Sequence, residues 1–284
     1  MDERLTIEKR IAAELCSYDG KMSFYADDLK GHVIQIDADE DFETASTIKT
    51  YILACLYDQV KGGKASLADI LTYEQHHYVD GSGVVQSLNL GAKLRVKDAA
   101  TLMIIVSDNV ATNMVIEYLG IDTINECIQK LGCRGTKLYR TLHFDSDDYG
   151  RLGTTTPRDY ASIFTRLARR QLISPEADEE MLKIFGMQHY NSMITGEFPS
   201  ALMDGEETGK TNLIRVASKS GSMDACRNDG GIVSTPYGDY VIVMMHKDFY
   251  DPQYHDRHTA SRYGARVSRM LLDQYLALEG RFRL

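Results

Sequence analysis

Residues 230–246, GGIVSTPYGDYVIVMMH, form two apolar runs joined at Pro236-Tyr237-Gly238, which is the pattern of a β-hairpin. Further strand character lies before it, at 213–219, and at the other end of the chain. There, Lys21–Asp27 and His32–Asp37 alternate apolar and polar residues around a turn at Leu29-Lys30-Gly31. Between these two ends the periodicity is helical almost throughout. The ends must therefore meet in one antiparallel sheet, and the middle must be an insertion into it. The expected fold class is α/β (α+β): an antiparallel sheet flanked by terminal helices, with an inserted all-helical subdomain. The expected boundaries are residues 1–45 plus 210–284 for the sheet part and 46–209 for the helical part, within one catalytic domain.

The helices follow from spacing and caps. Residues 3–16 place Leu5, Ile11, Ala12 and Leu15 at helical intervals. Residues 46–60 are apolar at Ile48, Tyr51, Ile52, Ala54, Cys55 and Leu56, and Gly62-Gly63 stops them. Ser66-Leu67-Ala68-Asp69 reads as a capping-box-like start of a short helix. Helices follow at 96–106 and 110–119, and another runs from a cap at Asp122 to Lys130. Thr156-Pro157 and Ser174-Pro175 each put a cap before a first-turn proline, predicting helices at 158–170 and 176–185. A final helix is expected at 257–278.

Composition narrows the partners. The chain has 284 residues, 43% hydrophobic and 26% charged, with a net charge of −9. An acidic protein gains nothing from neutralising phosphates, so nucleic acid is not an expected partner. No apolar run approaches the roughly 20 residues that span a bilayer. The N-terminus, MDERLTIEKRIAAELC, lacks the basic start and apolar stretch of an export signal. That suggests a cytoplasmic chain, or an exported one whose signal has been removed. Five cysteines without a CxxC pair suggest neither a disulfide framework nor a zinc site. The eight histidines show no metal spacing, and His76-His77 reads as loop surface. No glycine-rich phosphate loop is visible. No metal or other cofactor is expected, and the partner should be a small-molecule substrate.

Three short strings carry the chemistry: Ser46-Thr47-Ile48-Lys49, Ser107-Asp108-Asn109 and Lys219-Ser220-Gly221. Alone, each is an ordinary helix cap or polar turn. In order, they supply a hydroxyl nucleophile, amines that can move its proton, and polar groups to hold a substrate. Ser46 and Lys49 share a helix face, and a lysine acts as base when burial or a neighbouring cation lowers its pKa. Ser107 can relay a proton to a leaving nitrogen, and Asn109 can hold a substrate amide or Lys49. Lys219 adds positive charge, and Ser220 can bind a carboxylate. Gly221 lets a substrate approach the strand edge, and the Ser222 N–H can join that of Ser46 in holding an oxyanion.

This ordered set resembles that of class A β-lactamases and penicillin-binding proteins. ETASTIKTYIL is similar to the family's nucleophile helix. GSGVVQSL with LRVKDAATLMIIVSDNVATNMVIEYLG is similar to the helix pair around S-D-N, and TTTPRDYA and SKSGSMDACRND to later landmarks. The likeness runs over roughly residues 20–275. It implies an active site between sheet and helices and an acyl-enzyme on Ser46. K-S-G for K-T-G keeps the hydroxyl. Arg227, expected in a hairpin near the cleft, is either a carboxylate partner or a surface charge.

The chain departs from the family at one point. The family's glutamate for activating the deacylating water is missing from LYRTLHFDSDDYGRLGTTTP. Asp145, Asp147 and Asp148 are the carboxylates available there, and Asp145 is the first choice by its distance from TTTP. The implied activity is β-lactam hydrolysis. The alternatives are a D-amino-acid peptidase or esterase on the same scaffold, or a penicillin-binding sensor that acylates without turnover.

Overall fold

The computed structural model describes residues 6–143, 151–203, 212–251 and 258–283. The fold is α+β, as the pattern of elements predicts. Helix α1 (Ile7–Leu15) leads into strands β1 (Lys21–Asp27) and β2 (Val33–Ile36), then a two-residue strand β3 (Phe42–Glu43). A 3-10 turn, Ala45–Thr47, runs straight into α2 (Ile48–Lys61). The middle continues with β4 (Ile70–Thr72), β5 (Lys93–Arg95), α3 (Val96–Ile105), α4 (Asn109–Leu119) and α5 (Ile121–Lys130). Then come β6 (Lys137–Leu138), β7 (Gly153–Thr155), α6 (Pro157–Ala168), α7 (Pro175–Gly186) and the short α8 (Ser200–Met203). The last elements are β8 (Arg215–Ser218), β9 (Gly221–Met223), β10 (Cys226–Thr235), β11 (Gly238–Lys247) and α9 (Thr259–Ala277).

The main sheet is six-stranded in the order β2-β1-β11-β10-β8, with β9 also on β10. All its pairings are antiparallel, and Tyr25 lies opposite Val243 where the two chain ends join. Both faces of β11 are buried, which explains its unbroken apolar run. Val241, Val243 and Met245 enter the core shared with α2–α7, while Tyr240, Ile242 and Met244 enter the core under α1 and α9. Helix α2 is buried continuously from Ile48 to Tyr57, so it is the central helix of its core rather than a surface one. Thr156 and Ser174 cap α6 and α7 through their side chains, with proline at the first position of each.

Three expectations are corrected. Ser66–Asp69 forms turns, not a helix, because its backbone groups are taken elsewhere: Tyr118 Oη accepts from Ser66 N, and Val96 N donates to Asp69 O. The chain then pairs β4 with β5. The α5 cap is Gly120 (φ 82°), with Asp122 inside the first turn. His77 is buried rather than loop surface. Arg227 lies in the β9–β10 hairpin, opposite Ser222, and is buried rather than a surface charge. The small sheet β3-β7-β6 was not anticipated.

Candidate active site

Strings from four parts of the fold converge beside Ser46. The 3-10 turn carries Ser46 half-buried, and the first turn of α2 holds Lys49 with no solvent exposure. Lys49 Nζ donates to Ser107 O (2.7 Å), Ser107 Oγ (3.0 Å) and Asn109 Oδ1 (2.8 Å). Lys219 Nζ reaches the same Ser107 Oγ at 3.1 Å and Ser220 O at 2.6 Å. One hydroxyl thus bridges two buried amines and can take a proton from one while giving its own to the other. Ser107 adopts φ 52°, a conformation costly for a residue with a Cβ. In it, both its carbonyl and its hydroxyl receive Lys49.

Burial decides the protonation of these amines. An ammonium taken from water loses several kcal/mol of solvation, a penalty that the weakly hydrated neutral amine largely escapes. Desolvation therefore pushes Lys49 well below its ordinary value, and the Lys219 charge pushes it further, against a smaller opposing pull from Asp108. Desolvation brings Lys219 down to about 7, with Asp229 holding it up. Asp229 itself is fully buried and pushed up to about 7 by desolvation; its oxygens accept from Ile194 N (3.2 Å) and Gly230 N (2.9 Å). Burial thus lowers the cost of a neutral Lys49, the form a base needs, while Lys219 is poised near pH 7 between its two forms.

The remaining sequence candidates gather around this centre. Asn109 is buried, and its Nδ2 donates to Asp80 O (3.0 Å). Gly221 lies so close to the nucleophile turn that a Cβ there would sit 2.7 Å from Thr47 N and 2.8 Å from Ser46 N. Ser222 and Ser46 line two adjoining cavities. One, of about 290 Å³, also takes in Ser107, Ser220, Arg227 and Tyr190. The other, of about 480 Å³, is bordered by Asn109, Arg140, Leu142, His143 and Met223. Arg227 donates to Cys226 O at 2.9 Å and also to Met223 O, and its guanidinium lies over Phe249 at 5.5 Å. Asp145, Asp147 and Asp148 lie outside the described residues. Among the described residues lining the larger cavity there is no carboxylate, and buried Leu142 faces it.

Several supports were not singled out from sequence. Asp108 caps α4 through Ala111 N (2.9 Å), while its other oxygen accepts from Val84 N (2.6 Å) and Val85 N (2.8 Å). Gly83 packs against it without room for a Cβ. Asn113 fastens the loop after β6 by exchanging bonds with Leu142 (2.8 and 3.0 Å). Glu43, whose carboxyl burial pushes upward, accepts from Ala45 N (3.2 Å) and Gly153 N (3.4 Å), tying the nucleophile turn to β7. Tyr160 Oη donates to Lys219 O (2.6 Å), and Gly230 lies against that ring. The landmark strings TTTPRDYA and SKSGSMDACRND contain Tyr160 and Asp229, but neither string marked a role for them.

An antiparallel sheet packed on a helical body is the fold of β-lactamase/transpeptidase-like proteins. The β-lactamase enzyme family matches residues 6–275, and the chain belongs to that family. A β-lactamase of Streptomyces lavendulae is 26% identical over 239 residues, covering 80% of this chain and 74% of the relative. The β-lactamase of Sphaerobacter thermophilus DSM 20745 superposes with a TM-score of 0.83 at 28% identity, covering 96% of this chain and 97% of that one. PBP-A superposes with a TM-score of 0.81 at 27% identity, covering 95% and 96%. A mutant of PBP-A has also been solved as an acyl-enzyme complex with penicillin G. Among the described residues, no helix is long and apolar enough to cross a membrane.

Proposed function

We propose that this chain opens β-lactam amides by acylation of Ser46. The observation that carries the reading is the Lys49–Ser107–Lys219 cluster, where burial pushes the pKa of Lys49 well down within one helical turn of Ser46. Ser46 Oγ attacks the carbonyl carbon as Lys49 takes its proton. The N–H groups of Ser46 and Ser222 hold the oxyanion. The C–N bond then breaks, and the proton reaches the leaving nitrogen through Lys219 and Ser107. Asn109 and Ser220 position the substrate, with Arg227 and Lys219 supplying charge for a carboxylate. Gly221 keeps the strand edge close enough for the acyl group to lie along it.

A second reading concerns the fate of the acyl group. The described lining of the larger cavity offers no carboxylate to activate water, and Leu142 occupies it. This favours a long-lived acyl-enzyme of the penicillin-binding type, with Asp145 the sequence candidate for any faster hydrolysis. Mixing the protein with a chromogenic cephalosporin and with penicillin G, while following colour and intact mass, separates the two. Turnover without a lasting adduct indicates a β-lactamase. A persistent mass gain indicates the penicillin-binding reading. In either case Ser46→Ala should lose the signal by about a thousandfold or more, and full activity in that variant would overturn the assignment of the nucleophile.

A further inference from the structure

A second polar cluster lies away from Ser46, where the turn Gln75–His77 meets the C-terminal end of α4. His76 Nε2 and His77 Nε2 both point at one oxygen, Oε2 of Glu117, at 2.6 and 2.7 Å. The ligand-capable atoms of these three residues lie within 4.8 Å of one another. The two rings are 4.1 Å apart and tilted by 42°, and both present Nε2 to the same carboxylate oxygen. Two imidazoles and a carboxylate with an open outer side make a donor set for a borderline divalent transition ion.

We propose that His76, His77 and Glu117 bind a Zn²⁺-type ion that clamps the turn Gln75–His77 onto α4. Donors around such an ion sit at about 2.0–2.2 Å from it. Tetrahedral donors are then roughly 3.3–3.5 Å apart, so Glu117 must retreat by less than about 1 Å. That movement is open to it: the side chains of Glu117 and His76 are 57% and 56% exposed, whereas that of His77 is 7% exposed and already fixed. Glu74 Oε2 lies 3.6 Å from His76 Nδ1, placed to orient that ring from behind.

Binding also has a local cost. Glu74 N donates to His77 Nδ1 (3.0 Å), which leaves the ring's proton on Nε2. An ion at Nε2 displaces that proton, Nδ1 becomes protonated, and the Glu74 N–H gives up its acceptor. The turn must therefore shift as the ion enters. The same turn leads into the cleft: His77 O accepts from Asn113 Nδ2 (3.3 Å), and Ser82 O accepts from Asn109 N (3.0 Å). Ser82 lines both cavities beside Ser46. The ion is thus tied to the rim of the active site without touching it, and the inference stands whether or not Ser46 is acylated.

Zn²⁺ and Co²⁺ titrated into the full chain are the test, read by calorimetry, by the visible absorption of Co²⁺ and by the shift in Tm. One equivalent should bind, with a nitrogen-and-oxygen Co²⁺ spectrum and a raised Tm, while Mg²⁺ and Ca²⁺ do not compete. His76→Ala and Glu117→Gln, both at exposed side chains, should each weaken binding about tenfold or more and abolish the Tm shift, with the metal-free melting unchanged. No uptake by the wild-type chain, or uptake that neither substitution alters, would overturn the site.

Discussion

The two walls of the cleft beside Ser46 are built on different terms. One is the Lys49–Ser107–Lys219 cluster, drawn from α2, the α3–α4 junction and the end of β8, with every member buried and bonded. The other is the stretch Arg140–His143, whose backbone Asn113 secures but which turns Leu142 into the cavity. In the proposed reaction the two walls divide the chemical tasks. Making the acyl bond depends on proton positions, and those are set by core packing. Breaking it requires an oriented water, and among the described residues this wall offers no carboxylate to hold one.

Lys49→Met breaks the first wall. It keeps the length and removes the amine, so the acylation rate constant should fall about 10²- to 10⁴-fold. Rapid-quench mass spectrometry measures this, and a loss smaller than about tenfold would remove Lys49 from the base role. Leu142→Glu rebuilds the second wall. The added carboxylate should shorten the lifetime of the penicilloyl adduct by about tenfold or more while leaving acylation nearly unchanged. An unaltered lifetime would mean that a missing carboxylate at Leu142 is not what slows release.

Asp229→Asn sharpens the comparison from further inside, with the smallest effect. Asp229 raises the pKa of Lys219, so losing its charge lowers that pKa beneath about 7. The alkaline limb of the acylation profile, where Lys219 loses its proton, should move to lower pH by roughly half a unit or more. Stability changes with a definite sign. Folded Asp229 holds its proton up to about 7, whereas the unfolded carboxyl releases it near about 3.9. The native state therefore binds more protons between those values, and stability contributed by this group falls as pH rises through that window. Denaturant titrations across the window should show a flatter dependence for the asparagine variant; identical slopes would contradict the buried assignment.

The sequence disclosed most where the chemistry coincides with local periodicity. Helix α2 announces itself through its apolar spacing, and the S-D-N junction through the break between two apolar helices. The 236–238 turn is equally plain. The fold class followed from strands at both ends of the chain. Contacts between distant segments were not legible. Two-residue strands such as β3 and β6 carry no periodicity to detect, and Asp108 looked like a cap because its grip on Val84 and Val85 spans more than twenty residues. Ser66–Asp69 misled for the same reason: local capping chemistry lost to partners on Tyr118 and Val96. His76 and His77 looked superficial because Glu117 arrives from the far end of α4.

The missing side chain at Gly221 has one more consequence. With the strand resting directly on the backbone of Ser46 and Thr47, the reaction centre is a seam between early and late parts of the chain rather than a feature of either. Neither a nascent chain lacking its last strands nor a cleaved half can possess it. The proposed acylation by a β-lactam would therefore report completed folding, and loss of that reactivity during unfolding should mark the moment when this seam opens.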